Sequence, residues 1–301
     1  MSAAMRVAPG DVGWPERFVH LRQPPGELWV LGGLPAADTP TVAVVGSRRP
    51  TPGGLLTARD IGFQVAAAGV VVVSGMARGV DGAAHRGALD AGGLTVAVLG
   101  CGIERCYPPE HARLRDDIAE RGAVVSEDGG DAPPDTWRFP RRNRLIAALC
   151  EAVVVVEASE KSGALSTARW AADLGREVLA VPGSIRQPGS RGTNLLIRDG
   201  VRPYLGISDL FEAAPQLRRA LTLGTATAGG PPGSSTTAHR AVGDNPLLSR
   251  LLTVIGADPV HPDDLALTLG VPAADLAAAL TTLTLRGAVT DVWGGRVART
   301  F

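Results

Sequence analysis

Between residue 41 and about residue 211 the chain repeats one unit: a short run that is apolar at every position, then a turn, then a helical pattern. Thr41-Val42-Ala43-Val44-Val45 is the first run, and Thr51-Pro52 behind it supplies an N-cap with proline at the first helical position, predicting a helix to about Ala68. Val70-Val71-Val72-Val73 leads through residues 74–81 into a helix over about 82–91, and Thr95-Val96-Ala97-Val98-Leu99 leads through a Gly/Cys/Pro loop to a helix over 111–121. Val124-Val125, Val153-Val154-Val155-Val156 and Val178-Leu179-Ala180-Val181 are the later runs. Strands apolar on both faces and alternating with helices must be covered on both sides, which requires a parallel sheet between helical layers. The expected fold is α/β, a Rossmann-like, doubly wound, mostly parallel sheet.

A second unit of a different kind follows. Residues 222–245 are rich in Gly, Ser, Thr, Pro and Ala without periodicity, as a flexible linker is. Beyond them Leu247, Leu248, Leu251, Leu252 and Ile255 fall on one helical face, His261-Pro262-Asp263-Asp264 opens a second helix, and residues 273–286 read as a third. Val289-Thr290-Asp291-Val292 and Val297-Ala298-Arg299 flank Trp293-Gly294-Gly295 as a two-stranded ribbon, completing a small winged-helix domain. Its third helix carries no basic residue before Arg286, so a protein-contact or autoregulatory role is expected of it ahead of groove reading. The expected organisation is an N-terminal segment (1–40) packed on the core, a Rossmann-like core (41–221), the linker (222–245) and the winged-helix domain (246–301).

Composition narrows the function. With 45% hydrophobic residues the 301-residue chain can bury a sizeable core, and no apolar run approaches the length of a membrane span. The first residues lack the apolar centre of a secretion signal, so a cytoplasmic protein is expected. Cys101, Cys106 and Cys150 are too few and too irregularly spaced for a disulfide framework or a zinc site. Thirty basic residues balance thirty acidic ones, so binding of an anionic polymer must rest on local clusters.

The densest cluster is Trp137-Arg138-Phe139-Pro140-Arg141-Arg142-Asn143-Arg144, expected just before an apolar helix. Arginine offers a flat fork of donors for phosphate oxygens, and an aromatic ring gives an unpaired base a face to stack on. Alone, the segment reads equally well as a solvated basic turn. In a doubly wound sheet, however, ligands sit where loops leave the carboxyl ends of strands, against helix N-termini. Several further loops there carry small residues and bases: Gly46-Ser47-Arg48-Arg49-Pro50, Ser74-Gly75-Met76-Ala77-Arg78-Gly79-Val80-Asp81 and Lys161-Ser162-Gly163-Ala164-Leu165-Ser166-Thr167. Gly189-Ser190-Arg191-Gly192-Thr193-Asn194 closes the same rim, with Asn194 able to bond a base edge or phosphate. The first loop lacks the three glycines of a dinucleotide fingerprint, and no acidic residue ends the second strand, which disfavours a nicotinamide site. Asp81 reads as an N-cap.

These motifs, together with Asp11-Val12-Gly13-Trp14-Pro15-Glu16-Arg17 and Pro182-Gly183, resemble in order those of the DNA-processing protein A family (DprA, also called Smf). The resemblance covers some two hundred residues, and the winged-helix tail is similar to one that many members carry. It implies a protein that binds and protects single-stranded DNA and loads the RecA recombinase during natural transformation and recombination, through a pocket at these loops and a homodimer through the core. Many members begin with a helical domain, whereas here about forty residues precede the first strand. Carried onto this sequence, the pocket comprises Ser47, Arg48, Ser74, Gly75, Arg78, Gly79, Arg138, Phe139, Arg142, Asn143, Arg144, Lys161, Ser162, Gly163, Thr167 and Asn194. The arginines, Lys161 and the glycine amides would hold successive phosphates while Phe139 or Trp137 stacks a base. Of Arg141, Arg142 and Arg144, at least one is expected to face away or to bond a strand-end carbonyl.

The competing reading is an enzyme. Phosphoribohydrolases of the lysine-decarboxylase-like family use a similar glycine-threonine phosphate loop but place a glutamate shortly after the threonine, where this chain has Ala168-Arg169-Trp170-Ala171. His85 follows Asp81 by one helical turn and could form an acid/base pair, though a lone histidine among small residues is more often a packed one. Ser47 and Ser74 have no evident histidine partner, and no Walker-type loop or chelating cluster is present. A non-catalytic protein without cofactor or metal is expected. A third class, a regulator whose tail reads duplex DNA, would lose DNA binding on removal of residues 240–301.

Overall fold

The computed structural model describes residues 4–218, 246–256, 260–272, 276, 279–280, 283, 288–292 and 296–299. The chain forms two compact units, residues 1–229 and 230–301. The linker expected over 222–245 lies outside the described residues.

The first unit is built on a nine-stranded sheet in the order β1-β2-β6-β5-β4-β3-β7-β8-β9. The central strands are β3 (Thr41–Val45), β4 (Val71–Ser74), β5 (Thr95–Val98), β6 (Ala123–Ser126), β7 (Ala152–Val155) and β8 (Glu177–Ala180). They run parallel, as does the short β9 (Arg202–Pro203). From β3 the chain winds outward through β4, β5 and β6, then returns to place β7 on the other side of β3. The topological switch therefore falls between β3 and β7, where a doubly wound sheet opens its binding crevice. Two edge strands that the sequence did not announce, β1 (Met5–Val7) and β2 (Leu28–Gly32), extend the sheet antiparallel beyond β6. The N-terminal segment thus joins the sheet as well as covering it, with Trp14 and Phe18 buried in the core.

Alternation along β3 shows why the runs are apolar throughout. Ala43 and Val45 pack into one layer with Val73, Val98 and Leu145, while Val42 and Val44 pack into the other with Ile61, Val65 and Leu179. Each fully buried valine contributes about 1.5–3 kcal/mol, so either layer would be lost to a polar residue. Helix α1 (Pro52–Ala67) starts as expected, with the Thr51 hydroxyl accepting from the Gly54 N–H at 2.9 Å. It packs on α2 (Val80–Asp90) with glycine on both sides: a Cβ at Gly87 would stand 1.9 Å from the Arg59 carbonyl oxygen, and one at Gly62 would stand 2.2 Å from that of Ala84. Next come α3 (Ala112–Arg121), α4 (Arg138–Leu149), α5 (Ala164–Asp173), α6 (Arg191–Arg198) and α7 (Ile207–Ala213).

In the second unit, α8 (Pro246–Val254) and α9 (Pro262–Leu269) pack with Leu276, Ala279, Leu280 and Leu283, which keep helical spacing, against the hairpin β10 (Val289–Val292) and β11 (Arg296–Arg299). The remainder of the third helix and the turn Trp293-Gly294-Gly295 lie outside the described residues. No described helix is long and apolar enough to cross a membrane.

Candidate nucleic-acid interface

A cleft of about 710 Å3 opens at the switch between β3 and β7. Its walls are the turn after β3 (Gly46, Ser47, Arg48, Arg49), Tyr107 from the loop after β5, Pro134 and Thr136 ahead of α4, the α4 residues Phe139 and Asn143, and the start of α5 (Ser162, Gly163, Thr167). The parallel sheet sends all these loops to one edge, and α5 directs its N-terminal N–H groups and their partial positive charge into the cleft.

Arg48 and Phe139 form the centre of the site. The exposed Arg48 guanidinium lies 4.6 Å over the Phe139 ring, and Tyr107 supports that ring from 5.7 Å. Gly100 permits this arrangement, since a Cβ there would be 2.8 Å from the Phe139 ring. Trp137 is 54% exposed and stacks under Arg138 and Arg141 outside the cleft lining, so Phe139 is the aromatic the cleft presents. Among the described residues no carboxylate pairs with Arg48, Arg49 or Lys161. Ser47 holds the turn, its hydroxyl accepting from the Arg49 N–H at 3.0 Å. Ser162 does the same for α5 through the Ala164 N–H at 3.3 Å.

Other expected contacts are committed elsewhere. The arginine segment does not precede a helix; it forms the first turns of α4, and this sends its members in different directions. Arg142 is 5% exposed and donates through Nη1 to the carbonyls of Gly75, at 2.6 Å, and Val98. Burial lowers its pKa to about 10, so it stays charged near neutrality, with the Asp81 carboxyl beside it in the cleft lining, and it does not reach out to a phosphate. Arg144 points to the opposite side, both Nη atoms donating to Glu127 at 2.6 Å and Nε to the Gln23 carbonyl at 3.0 Å. Direct phosphate contact by Arg142 and Arg144 is therefore corrected: one bonds strand-end carbonyls and the other faces away. Arg138 pairs with Asp128 and Asp135, and Arg78 is held by both oxygens of Glu110 at the cleft rim.

The small polar residues divide likewise. Ser74 is fully buried and its hydroxyl donates to the Val44 carbonyl at 2.6 Å, tying β4 to β3 and leaving nothing for a ligand. The Gly75 N–H donates to Asp81 Oδ2 at 3.1 Å, so its amide is not a phosphate donor either. Gly79 has φ +75° and serves close approach, since a Cβ would meet the Ser47 carbonyl oxygen at 2.4 Å. Asp81 braces this loop from inside α2 in place of capping the helix, and burial raises its pKa against the opposing charge of Arg142. Within the loop Met76 adopts φ +61°, a conformation that costs a non-glycine residue about 1–2 kcal/mol, and its carbonyl accepts from His111 Nδ1–H at 3.0 Å. Asn143 donates to the Gly163 carbonyl at 3.2 Å, and Thr167 is buried in the floor. Asn194 grips Gly183 through both backbone groups, at 3.1 and 2.9 Å, outside the cleft lining.

His85 and Asp81 form no acid/base pair. The His85 Nδ1–H donates to Thr95 Oγ1 at 2.7 Å, whose hydroxyl donates to the Val72 carbonyl, and burial first, then neighbouring positive charge, lowers the imidazole pKa to about 3. Tyr107 and Arg49 were not among the expected site residues. The same rule that selected the other loops applies to theirs, because each follows a parallel strand at its carboxyl end.

The family model of the DNA recombination-mediator protein A matches residues 6–215, and that of the DprA winged helix domain matches residues 235–295. The chain is 45% identical to Protein Smf of Escherichia coli (strain K12) over 188 residues, 62% of this chain and 50% of that protein. It is 37% identical to DNA processing protein DprA of Bacillus subtilis (strain 168) over 204 residues, 67% of this chain and 69% of that protein. Among solved structures it is similar to DNA processing protein A of Streptococcus pneumoniae, with a TM-score of 0.66 and 37% identity over 69% of this chain and 74% of that one. It is also similar to DNA processing protein A of Helicobacter pylori, whose single-stranded DNA binding mode has been described, with a TM-score of 0.62 and 32% identity over 69% of this chain and 94% of that one. The chain spans about half the length of several of the curated relatives it matches. A Rossmann-like core and a winged-helix unit that match in order, over more than two thirds of the chain, place it in the DNA recombination-mediator protein A family.

Proposed function

We propose that the protein binds single-stranded DNA in the cleft between β3 and β7, without catalysis, and delivers it to RecA during recombination and natural transformation. The carrying observation is Arg48 laid over Phe139 at the mouth of the cleft, an arginine free of carboxylates on an aromatic face backed by Tyr107. A single-strand site needs a cation for the phosphate and a ring for the unpaired base, with about 1–3 kcal/mol per stacked base. A duplex keeps its bases stacked and has no face to offer Phe139. Arg49 on the cleft wall and the α5 N-terminus add positive potential that favours a polyanion there. Phosphate and stacking contacts are independent of sequence, so mixed sequences bind alike.

Delivery to RecA, pairing of two copies through the core and a cytoplasmic location are parts of the same proposal. The test is a titration of labelled oligothymidine and of a matched duplex, followed by fluorescence anisotropy. A preference for the single strand that weakens steeply with salt is expected, and equal binding of both forms would contradict the reading.

A further inference from the structure

Next to the cleft, the same sheet edge carries a second hollow of about 390 Å3. It is walled by the start of α1 (Thr51, Gly54, Thr57), by Glu157 and by the turn after β8, including Ser184 and Gln187. Glu157 is 8% exposed, and its carboxylate accepts from the Thr51 N–H at 3.0 Å and the Thr51 hydroxyl at 2.5 Å. Gly54 makes room for it, since a Cβ would stand 2.4 Å from Oε1. The helix start offsets the carboxylate's charge. Inside, the hollow is lined by hydroxyls, the Gln187 amide, the Glu157 carboxylate and the apolar Val156, Val181 and Pro182, with no cation, so it suits a sugar or base and not a phosphate.

Cations stand on either side. Arg49 precedes Thr51 by two residues, and Arg186 occupies the tip of the turn after β8; neither meets a carboxylate among the described residues, whereas Arg191 on this rim is paired with Glu160 at 2.5 Å. The turn is held firmly: the Gln187 N–H donates to the Ser184 carbonyl at 3.0 Å, the Arg186 N–H to the Ser184 hydroxyl at 3.2 Å, and Asn194 fixes Gly183. On this tip, beside Arg186, Ile185 is 95% exposed. An exposed aliphatic side chain beside a cation can pack on an unpaired base while the cation meets the adjoining phosphate.

We propose that a DNA strand leaving the Arg48–Phe139 cleft continues across this hollow, with a sugar or base over Thr51 and Glu157, Arg186 on the next phosphate and Ile185 against the following base. The inference rests on the single-strand reading of the cleft. Neighbouring strands lie about 4.8 Å apart, so β3 to β8 spans about 10 Å, enough for up to about three further nucleotides at the roughly 3.4 Å rise of a stacked strand.

The test is a length series of labelled oligothymidines, about 4 to 16 nucleotides, with wild type, Arg48→Ala and the double variant Ile185→Ala/Arg186→Ala. The double variant should match wild type on the shortest strands that Arg48→Ala weakens, and lose about three- to tenfold on longer ones, with a salt slope shallower by about 0.7. Wild-type affinity and slope at every length would overturn the extension alone. Equal loss at every length would also overturn it, by placing the turn within the primary cleft. A wild-type protein that binds no single strand would overturn the cleft reading, and the extension with it.

Discussion

Arg48, Arg142 and Arg144 show how one side-chain type divides into three tasks. Arg48 is solvated and stacked, Arg142 is buried on strand-end carbonyls, and Arg144 is locked to Glu127. Only the first is free to exchange partners with an incoming phosphate; removing Arg142 or Arg144 would orphan buried groups and cost stability, about 3–5 kcal/mol for a broken buried pair. In the proposed site Phe139 carries the stacking role, so Phe139→Ala should weaken oligothymidine binding about five- to a hundredfold while the protein still unfolds cooperatively, as anisotropy and urea unfolding would show. His85 gives a prediction in pH. Its pKa is about 3 in the folded protein against an ordinary 6.5, so below pH 6.5 the unfolded chain takes up a proton that the folded one refuses. Stability should therefore fall as pH drops from 6.5 toward 3, by about 2 kcal/mol at about pH 5, and urea unfolding of His85→Gln should lack that component. The division among the arginines is not legible in a segment expected just before a helix. With α4 starting at Arg138, helical spacing puts Arg142 in line with Leu145, Ile146 and Leu149 and Arg144 in line with Ala147 and Ala148, so the two arginines leave different faces of one buried helix.

At the scale of elements, the parallel sheet does most of the positioning, and it was legible because its strands are apolar at every position. Its edge was not. Leu28–Gly32 pairs antiparallel with β6, from Trp29 opposite Ser126 to Gly32 opposite Ala123, a partner almost a hundred residues away that no local pattern in either segment announces. The contact between α1 and α2 was also hidden, because a glycine inside a helix looks merely unfavourable until its neighbour is known. At this crossing Gly62 and Gly87 admit each other's helix backbone, which aligns α2 and hence the loop of Gly75 and Met76 behind the cleft. Gly87→Ala would place a methyl group 1.9 Å from the Arg59 carbonyl oxygen and should destabilise the core by about 1–3 kcal/mol despite its higher helix propensity, measured as a lowered urea midpoint. A midpoint equal to or above wild type would show that the helices separate without cost.

For the molecule as a whole, zero net charge conceals a strongly uneven surface. Among the described residues, the rim arginines Arg78, Arg138 and Arg191 are matched by Glu110, Asp128 and Glu160, which leaves Arg48, Arg49, Lys161 and Arg186 to meet an anion. Binding therefore depends on few charges in set places, and the winged-helix unit need not take part in it. Deleting residues 240–301 should leave single-strand affinity within about threefold of wild type, whereas a duplex-reading tail would take most of the binding with it. The most direct test of the central claim is the salt dependence of oligothymidine binding by wild type and Arg48→Ala, followed by anisotropy. About three to four neutralised phosphates predict a log–log slope of about −2 to −3 for wild type, and for Arg48→Ala a loss of about tenfold or more with a slope shallower by about 0.7. Identical affinity and slope for the two proteins would mean that the strand does not enter the cleft between β3 and β7.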